Sequence, residues 1–287
     1  MILMDIVMPH VNGVEATRRI MQETPCPILI VTASVGANVG EVFEAMGAGA
    51  MDVVATPRLG EEEPRRLLLE KIRGIASLSD LPGASSIGRS SRLPSGRAEC
   101  AVLIGSSAGG PAVLAEILKA LPADLPSGVV IVQHVDERFT SELASWLGAN
   151  SALPVCLAEE GGEVCRGTVL VSKGGKHLVF GRGGNLHYTD KPKLSYQPSV
   201  DVLFESAVKH GPRHMLGLLL TGMGRDGAEG LGKLREAGHR TVAQDEKSSA
   251  IYGMPKAAME IGAAEEILSP PEIINRIITW SKEPGMP

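Results

Sequence analysis

Apolar residues along this chain gather into short continuous runs, each followed after a turn by a stretch with helical spacing. Strands are predicted over residues 2–8, 28–31 and 51–54, alternating with helices over 15–22, 39–46 and 61–76. Over 77–99 the pattern lapses into Ser, Gly and Pro with isolated Arg89, Arg92 and Arg97, a composition that cannot bury enough to order itself. That segment reads as an interdomain linker and its arginines as solvated charges. The alternation then resumes more strongly, with apolar runs at 101–104, 129–132, 168–171, 215–220 and 241–243 and helical stretches at 111–120, 139–147, 200–209, 231–237 and 273–280. Strands that are apolar throughout are covered on both faces. The expected architecture is α/β: a doubly wound, mostly parallel sheet in residues 100–287, preceded by a smaller α/β module in 1–76. Residues 154–196, glycine-rich and poor in helical pattern, predict a small antiparallel excursion with hairpin turns.

Composition narrows the function classes. A chain of 287 residues is long enough for two domains, and 44% hydrophobic with 21% charged residues is ordinary globular composition, neither disordered nor fibrous. A net charge of −5 and only 3% aromatic residues argue against a nucleic-acid partner, which selects a basic face or a stacking series. Cys26, Cys100, Cys156 and Cys165 lack the paired short spacing of a zinc site, and no secretory leader precedes them. The expectation is a reducing cytoplasm, with no metal and no cofactor. No apolar run approaches bilayer length, so direct membrane insertion is not expected.

In a parallel sheet the chemistry collects at strand C-termini. The turn Gly105-Ser106-Ser107-Ala108-Gly109-Gly110 joins the first strand of the larger domain to its helix. A serine there stands beside free N–H groups and the positive dipole end, where an oxyanion is stabilised. A phosphate-binding turn and a plain chain reversal fit the same residues. His134 follows directly on the run 129–132, and is either a loop residue or a base. Asp226, in Thr221-Gly222-Met223-Gly224-Arg225-Asp226-Gly227, is either the N-cap of the next helix or an orienting carboxylate. Ser107, His134 and Asp226 share one sheet edge, in the types that make a nucleophile, a base and its orienter. Arg138 and Arg225 flank that edge and read as surface arginines. Two other classes stay open. A Rossmann-type nucleotide module would use Asp136 on a ribose, although Ser107 replaces the middle glycine of that fingerprint. A catalytically silent regulator would use the first module and the sheet edge only to bind partners.

The segments Ile104-Gly105-Ser106-Ser107-Ala108-Gly109-Gly110, Gln133-His134, Gln197-Pro198-Ser199-Val200-Asp201-Val202-Leu203-Phe204 and Thr221 through Gly227 resemble the chemotaxis protein-glutamate methylesterases, as do Ala243-Gln244-Asp245-Glu246 and Gly253-Met254-Pro255. The resemblance implies a serine hydrolase that removes methyl groups from glutamate esters of chemoreceptors, with glutamine deamidation as a side activity. It implies Ser107 as nucleophile, His134 as base, Asp226 as its orienter and the backbone N–H of Met223 as an oxyanion donor. Ser106 is then structural, Ala108 has no hydroxyl role, and His177 in a looser version of a family loop is an accessory candidate. The implied partners are methylated receptor helices, rich in acidic residues, and a chemosensory histidine kinase.

The first module resembles the second half of a response-regulator receiver domain of flavodoxin-like fold. Asp5, in Met4-Asp5-Ile6-Val7-Met8-Pro9, matches the phospho-acceptor and Thr32 the switch hydroxyl. The acidic pair that holds Mg²⁺ in the family is missing, and Thr56 stands where the family has lysine before Pro57. Phosphoryl transfer relies on both to offset charge, so Asp5 is expected to be inactive. Without the family's first two strands, a sheet edge and a helix face are expected to lack their usual cover.

Overall fold

The computed structural model describes residues 1–33, 39–57, 62–76, 96–194 and 196–283. They fall in two compact units, each built on its own parallel sheet. The first runs β1 (Ile2–Met4), α1 (Gly13–Glu23), β2 (Ile28–Thr32), α2 (Val39–Gly47), β3 (Asp52–Ala55) and α3 (Glu62–Ala76), with strand order β1-β2-β3. The Asn12 side chain caps α1 by accepting from Glu15 N–H at 2.9 Å. Inside this unit Lys71 of α3 is buried and reaches Asp52 Oδ1 at 2.7 Å and Val53 O at 2.9 Å, which ties the helix to the sheet. The strand expected over 2–8 stops at Met4. Beyond it the chain turns, with Asp5 Oδ1 accepting from Val7 N–H and Gly13 N–H returning to Ile6 O. Asp5 is exposed, and Leu3 and Val7 are 51% and 53% exposed.

The second unit runs β4 (Cys100–Ser106), α4 (Gly110–Ala120), β5 (Gly128–Gln133), a 3-10 turn (Glu137–Phe139), α5 (Thr140–Ala149), β6 (Val155–Leu157), β7 (Val169–Val171), β8 (His177–Phe180), β9 (Leu186–Thr189), α6 (Val200–His210), β10 (His214–Leu219), α7 (Ala228–Glu236), β11 (Arg240–Gln244), α8 (Met254–Glu260), β12 (Glu266–Leu268) and α9 (Pro270–Trp280). Seven strands form one sheet in the order β12-β11-β10-β4-β5-β7-β6, with every pairing parallel. β8 and β9 form the antiparallel hairpin expected in the glycine-rich stretch. From β4 the chain first builds outward through β5, then returns to add β10 on the opposite side. The boundary between β4 and β10 is therefore the switch point, where α/β sheets open a crevice beyond their strand ends.

Central strands β4 and β5 are buried at every position, as continuous apolar runs require. On one side of the sheet, Leu103, Val130, Val132 and Leu219 pack with Val200, Leu203 and Phe204 of α6 and Leu231 and Leu234 of α7. Each fully buried Leu or Phe contributes roughly 1.5–3 kcal/mol, so α6 and α7 are fixed where the site needs them. The sequence pattern missed β6, β12 and α8, which are short, and two of which are edge strands. Residues 96–99, assigned above to the linker, pack on this unit: Ala98 is buried with its N–H on Val164 O at 2.8 Å, and Arg97 donates to Gly183 O. Arg97 is exposed, as a solvated charge is, and also donates to this unit, while Arg89 and Arg92 lie outside the described residues. Among the described residues no helix is long and apolar enough to cross a membrane.

Candidate active site

Strand register brings the first two candidate residues together. Ser106 of β4 is the partner of Gln133 of β5, and His134 N–H donates to Ser106 O at 2.9 Å. Ser107 and His134 are thus the next residues on neighbouring parallel strands, about 5 Å apart by sheet geometry. The Gln133 side chain, buried, clamps these ends. Its Nε2 donates to Ser107 O at 2.8 Å and His134 O at 3.0 Å, and its Oε1 accepts from Ser106 Oγ at 2.7 Å. Ser106 therefore works as a structural residue, and Gln133 carries a role that sequence reasoning quoted only as part of a motif.

The other wall is the loop after β10. Ser107 N–H donates to Thr221 O at 3.0 Å, and Thr221 Oγ1 donates to Ala108 O at 3.0 Å. Gly222 lies flat on the serine, since a Cβ there would fall 2.7 Å from Ser107 Cβ and 2.3 Å from Met254 Sδ. Gly109, the N-cap of α4, has φ 78°, and its missing Cβ would meet that of Ala250 at 2.5 Å. Among the described residues the backbone N–H groups of Ala108 and Met223 have no internal acceptor. They remain free for an oxyanion.

Asp226 does not cap its own helix. Gly227 takes that position without a side-chain bond, and the Asp226 carboxylate instead crosses to the N-terminus of α6. Its Oδ1 accepts from Ser199 Oγ at 2.7 Å and Asp201 N–H at 3.2 Å; its Oδ2 accepts from Val200 N–H at 2.7 Å and His134 Nε2 at 2.7 Å. Burial acts to raise the Asp226 carboxyl, but the hydrogen bond and charge of His134, with the Ser199 hydroxyl and Val200 N–H, outweigh it and lower the pKa from 3.8 to about 2. Its neighbour Asp201 moves the other way, to about 6, because burial and the Asp226 charge exceed the help of Gly230 N–H. The two carboxyls thus separate into one held charged and one readily protonated.

A charged carboxylate only accepts, so the neutral imidazole carries its proton on Nε2 and its lone pair on Nδ1. His134 Nδ1 is buried and has no hydrogen-bond partner. Ser107 and His134 are 6% and 7% exposed, and the bond from Ser107 Oγ to that nitrogen is not formed in this structure. Catalytic contacts of this kind commonly tighten only with substrate. The Tyr196 ring lies on the imidazole face, with centroids 4.6 Å apart and planes at 2°.

His177 is fully buried and spends both nitrogens on the backbone: Nδ1 accepts from Ser199 N–H at 3.0 Å and Nε2 donates to Pro192 O at 2.8 Å. It holds the segment that delivers Ser199 to Asp226. Asp136 is likewise engaged, accepting from the Arg138 guanidinium at 2.9 and 2.7 Å and from its N–H at 3.0 Å, which disfavours a ribose-binding role. Arg225 is exposed. Among the described residues, no group of three or more His, Cys, Asp or Glu is arranged to hold a metal ion.

Comparison with known proteins bears on the fold and the family. The model of the CheB methylesterase family matches residues 102–277, and that of the response regulator receiver domain matches residues 1–62. Protein-glutamate methylesterase/protein-glutamine glutaminase 4 of Burkholderia thailandensis is 49% identical over 285 residues, covering 97% of this chain and 83% of that protein. A protein-glutamate methylesterase/protein-glutamine glutaminase of Mesorhizobium japonicum is 49% identical over 284 residues, covering 97% and 84%. The crystal structure of the Thermotoga maritima CheB methylesterase catalytic domain superposes with a TM-score of 0.59 at 34% identity, covering 65% of this chain and all 100% of that one. A receiver-type module, a doubly wound sheet and this degree of identity along nearly the whole chain lead to one conclusion: the chain belongs to the CheB methylesterase family.

Proposed function

We propose that this protein is a serine hydrolase that removes methyl groups from glutamate methyl esters of chemoreceptors, and that Ser107, His134 and Asp226 carry the reaction. The observation behind this reading is the way Asp226, gripped by three donors from α6 and its cap, engages one nitrogen of His134 and leaves the other buried, unpartnered and next to the strand end bearing Ser107. A triad needs one ring nitrogen on the carboxylate and the opposite one for the hydroxyl.

Ser107 Oγ attacks the ester carbonyl carbon while His134 Nδ1 takes its proton. Ala108 and Met223 N–H groups receive the oxyanion, a contribution of about 3 kcal/mol per donor in comparable sites. The tetrahedral intermediate collapses, the C–O bond to the methoxy group breaks, and His134 returns the proton so that methanol departs. Water then attacks the acyl-enzyme with His134 again as base, releasing the free carboxylate and Ser107. Asp226 fixes the tautomer and offsets the imidazolium charge in both halves. With a glutamine amide the same steps release ammonia.

The working division is a receiver-like module over 1–76, a linker from 77, and a catalytic domain that takes in residues 96–99 with 100–287. The site of action is the cytoplasm, with methylated receptor helices as substrate and a chemosensory histidine kinase as partner. Asp5 is a matched but inactive acceptor, because Thr56 replaces the cation that the chemistry draws on. Membranes carrying methyl-labelled chemoreceptors test the reading. The purified protein is expected to release methanol and Ser107→Ala to release none above background; equal release by the two would reject it.

A further inference from the structure

Building on that reading, we propose that Tyr196 is a positioning residue for the reaction, which holds the His134 ring by its face and stabilises the charge that the ring acquires. The imidazole is otherwise fixed at one edge only, by Asp226 at Nε2, since Nδ1 has no partner. A single hydrogen bond leaves the ring free to rotate about it. The parallel contact with Tyr196, at 4.6 Å and 2°, removes that freedom. When Ser107 gives up its proton the ring becomes a cation lying over the negative face of the phenol, in a pocket where His134 is only 7% exposed. Cation–π attraction grows as water is excluded. It is also a differential effect, strong for the imidazolium of the transition state and weak for the neutral ring of the resting enzyme.

Tyr196 has the support this task requires. The following residue, Gln197, has its carbonyl bonded by Gly175 N–H at 3.1 Å. Two residues further on, Ser199 N–H is held by the buried His177, and the Ser199 hydroxyl is on Asp226. The segment that seats the carboxylate against one edge of the imidazole therefore also lays the phenol on its face.

The experiment measures kcat and KM for methanol release from methyl-labelled receptor membranes by the full-length protein. Three replacements are compared: Tyr196→Phe, Tyr196→Leu and Tyr196 replaced by pentafluorophenylalanine, whose ring has the same shape and a reversed quadrupole. The phenylalanine variant is expected to stay within about twofold of the parent. Leucine and the fluorinated ring are expected to lower kcat roughly 3- to 30-fold with KM little changed. If the fluorinated ring matches phenylalanine, or if phenylalanine falls as far as leucine, the inference is overturned. A rise in KM alone would make Tyr196 a substrate wall and overturn it too. Should the leucine variant fail to fold by circular dichroism, the two ring variants, alike in shape, still decide the question. Ser107→Ala run alongside separates the two levels. If it is dead while the Tyr196 variants are unaffected, only this inference falls; if it turns over normally, the parent reading falls as well.

Discussion

Replacing Asp226 by asparagine keeps the shape of the side chain and removes its charge, which makes it a sharp test of the electrostatics at the site. All the carboxylate's partners are donors: His134 Nε2 and Val200 N–H on Oδ2, Ser199 Oγ and Asp201 N–H on Oδ1. An amide has a single oxygen. Placed at the Oδ2 position, it keeps the 2.7 Å bonds to His134 and Val200 and turns its NH₂ toward Ser199 Oγ, a hydroxyl that can turn to accept, and toward Asp201 N–H, whose 3.2 Å bond is lost. The reverse orientation keeps Ser199 Oγ but sets the NH₂ against Val200 N–H at 2.7 Å, a backbone donor that cannot turn, so the first is favoured and the tautomer of His134 survives. What the variant lacks is the negative charge. Lowering the carboxyl from 3.8 to about 2 corresponds to native-state stabilisation on the order of 2 kcal/mol, of which the hydrogen bonds from His134, Ser199 and Val200 act whether or not the ring is charged. Because the folded value is depressed, that stabilisation is present above about pH 4 and is lost as pH falls toward 2. Urea unfolding of both proteins from pH 7 down to pH 2.5 is therefore expected to show a gap of that size that narrows below pH 4. In parallel, methanol release is expected to fall by more than tenfold, from loss of the charge that offsets the imidazolium, but by less than the roughly 10⁴-fold that follows when an asparagine also imposes the wrong tautomer. A stability gap independent of pH, or turnover within tenfold of the parent, would refute the assignment of a charged Asp226 paired to His134.

Two further substitutions probe the walls of the site. Gly222→Ala places a methyl group 2.7 Å from Ser107 Cβ and 2.3 Å from Met254 Sδ, and is expected to destabilise the fold by about 1–3 kcal/mol while displacing the serine, with kcat down at least tenfold; a thermal melt and turnover assay check both. Gln133→Leu removes the side-chain donor from the His134 carbonyl, leaves the Ser107 carbonyl with Gly110 N–H alone, and takes the acceptor from Ser106 Oγ. A loss of about 2–4 kcal/mol in urea unfolding is expected, with a kcat reduction that Ser106→Ala does not reproduce.

Much of this architecture could be read in the chain because β4, β5 and β10 are buried on both faces and so are written as unbroken apolar runs. β6 and β12 were not legible: at three residues each, on the sheet margins, with alternately half-buried and exposed positions, they carry too little pattern. Ser107 and His134 were readable as a pair since parallel strands deliver consecutive strand ends to one rim. The anchoring of the Asp226 carboxylate on α6 was not, because its partners Ser199, Val200 and Asp201 lie 25–27 residues earlier, out of reach of local spacing. Tyr196 gave no signal either. It reaches His134 from an irregular segment whose course depends on His177 and on the register of α6, and both emerge only once the chain is folded.

The claim on which the account rests is that Ser107 is a hydroxyl made nucleophilic by His134. Covalent labelling with a serine-directed fluorophosphonate, followed by mass spectrometry of the digested protein, measures this directly. One adduct per chain on Ser107, abolished in His134→Ala, is the expected result. Labelling at another residue, or at an unchanged rate on Ser107 after His134 is removed, would contradict it.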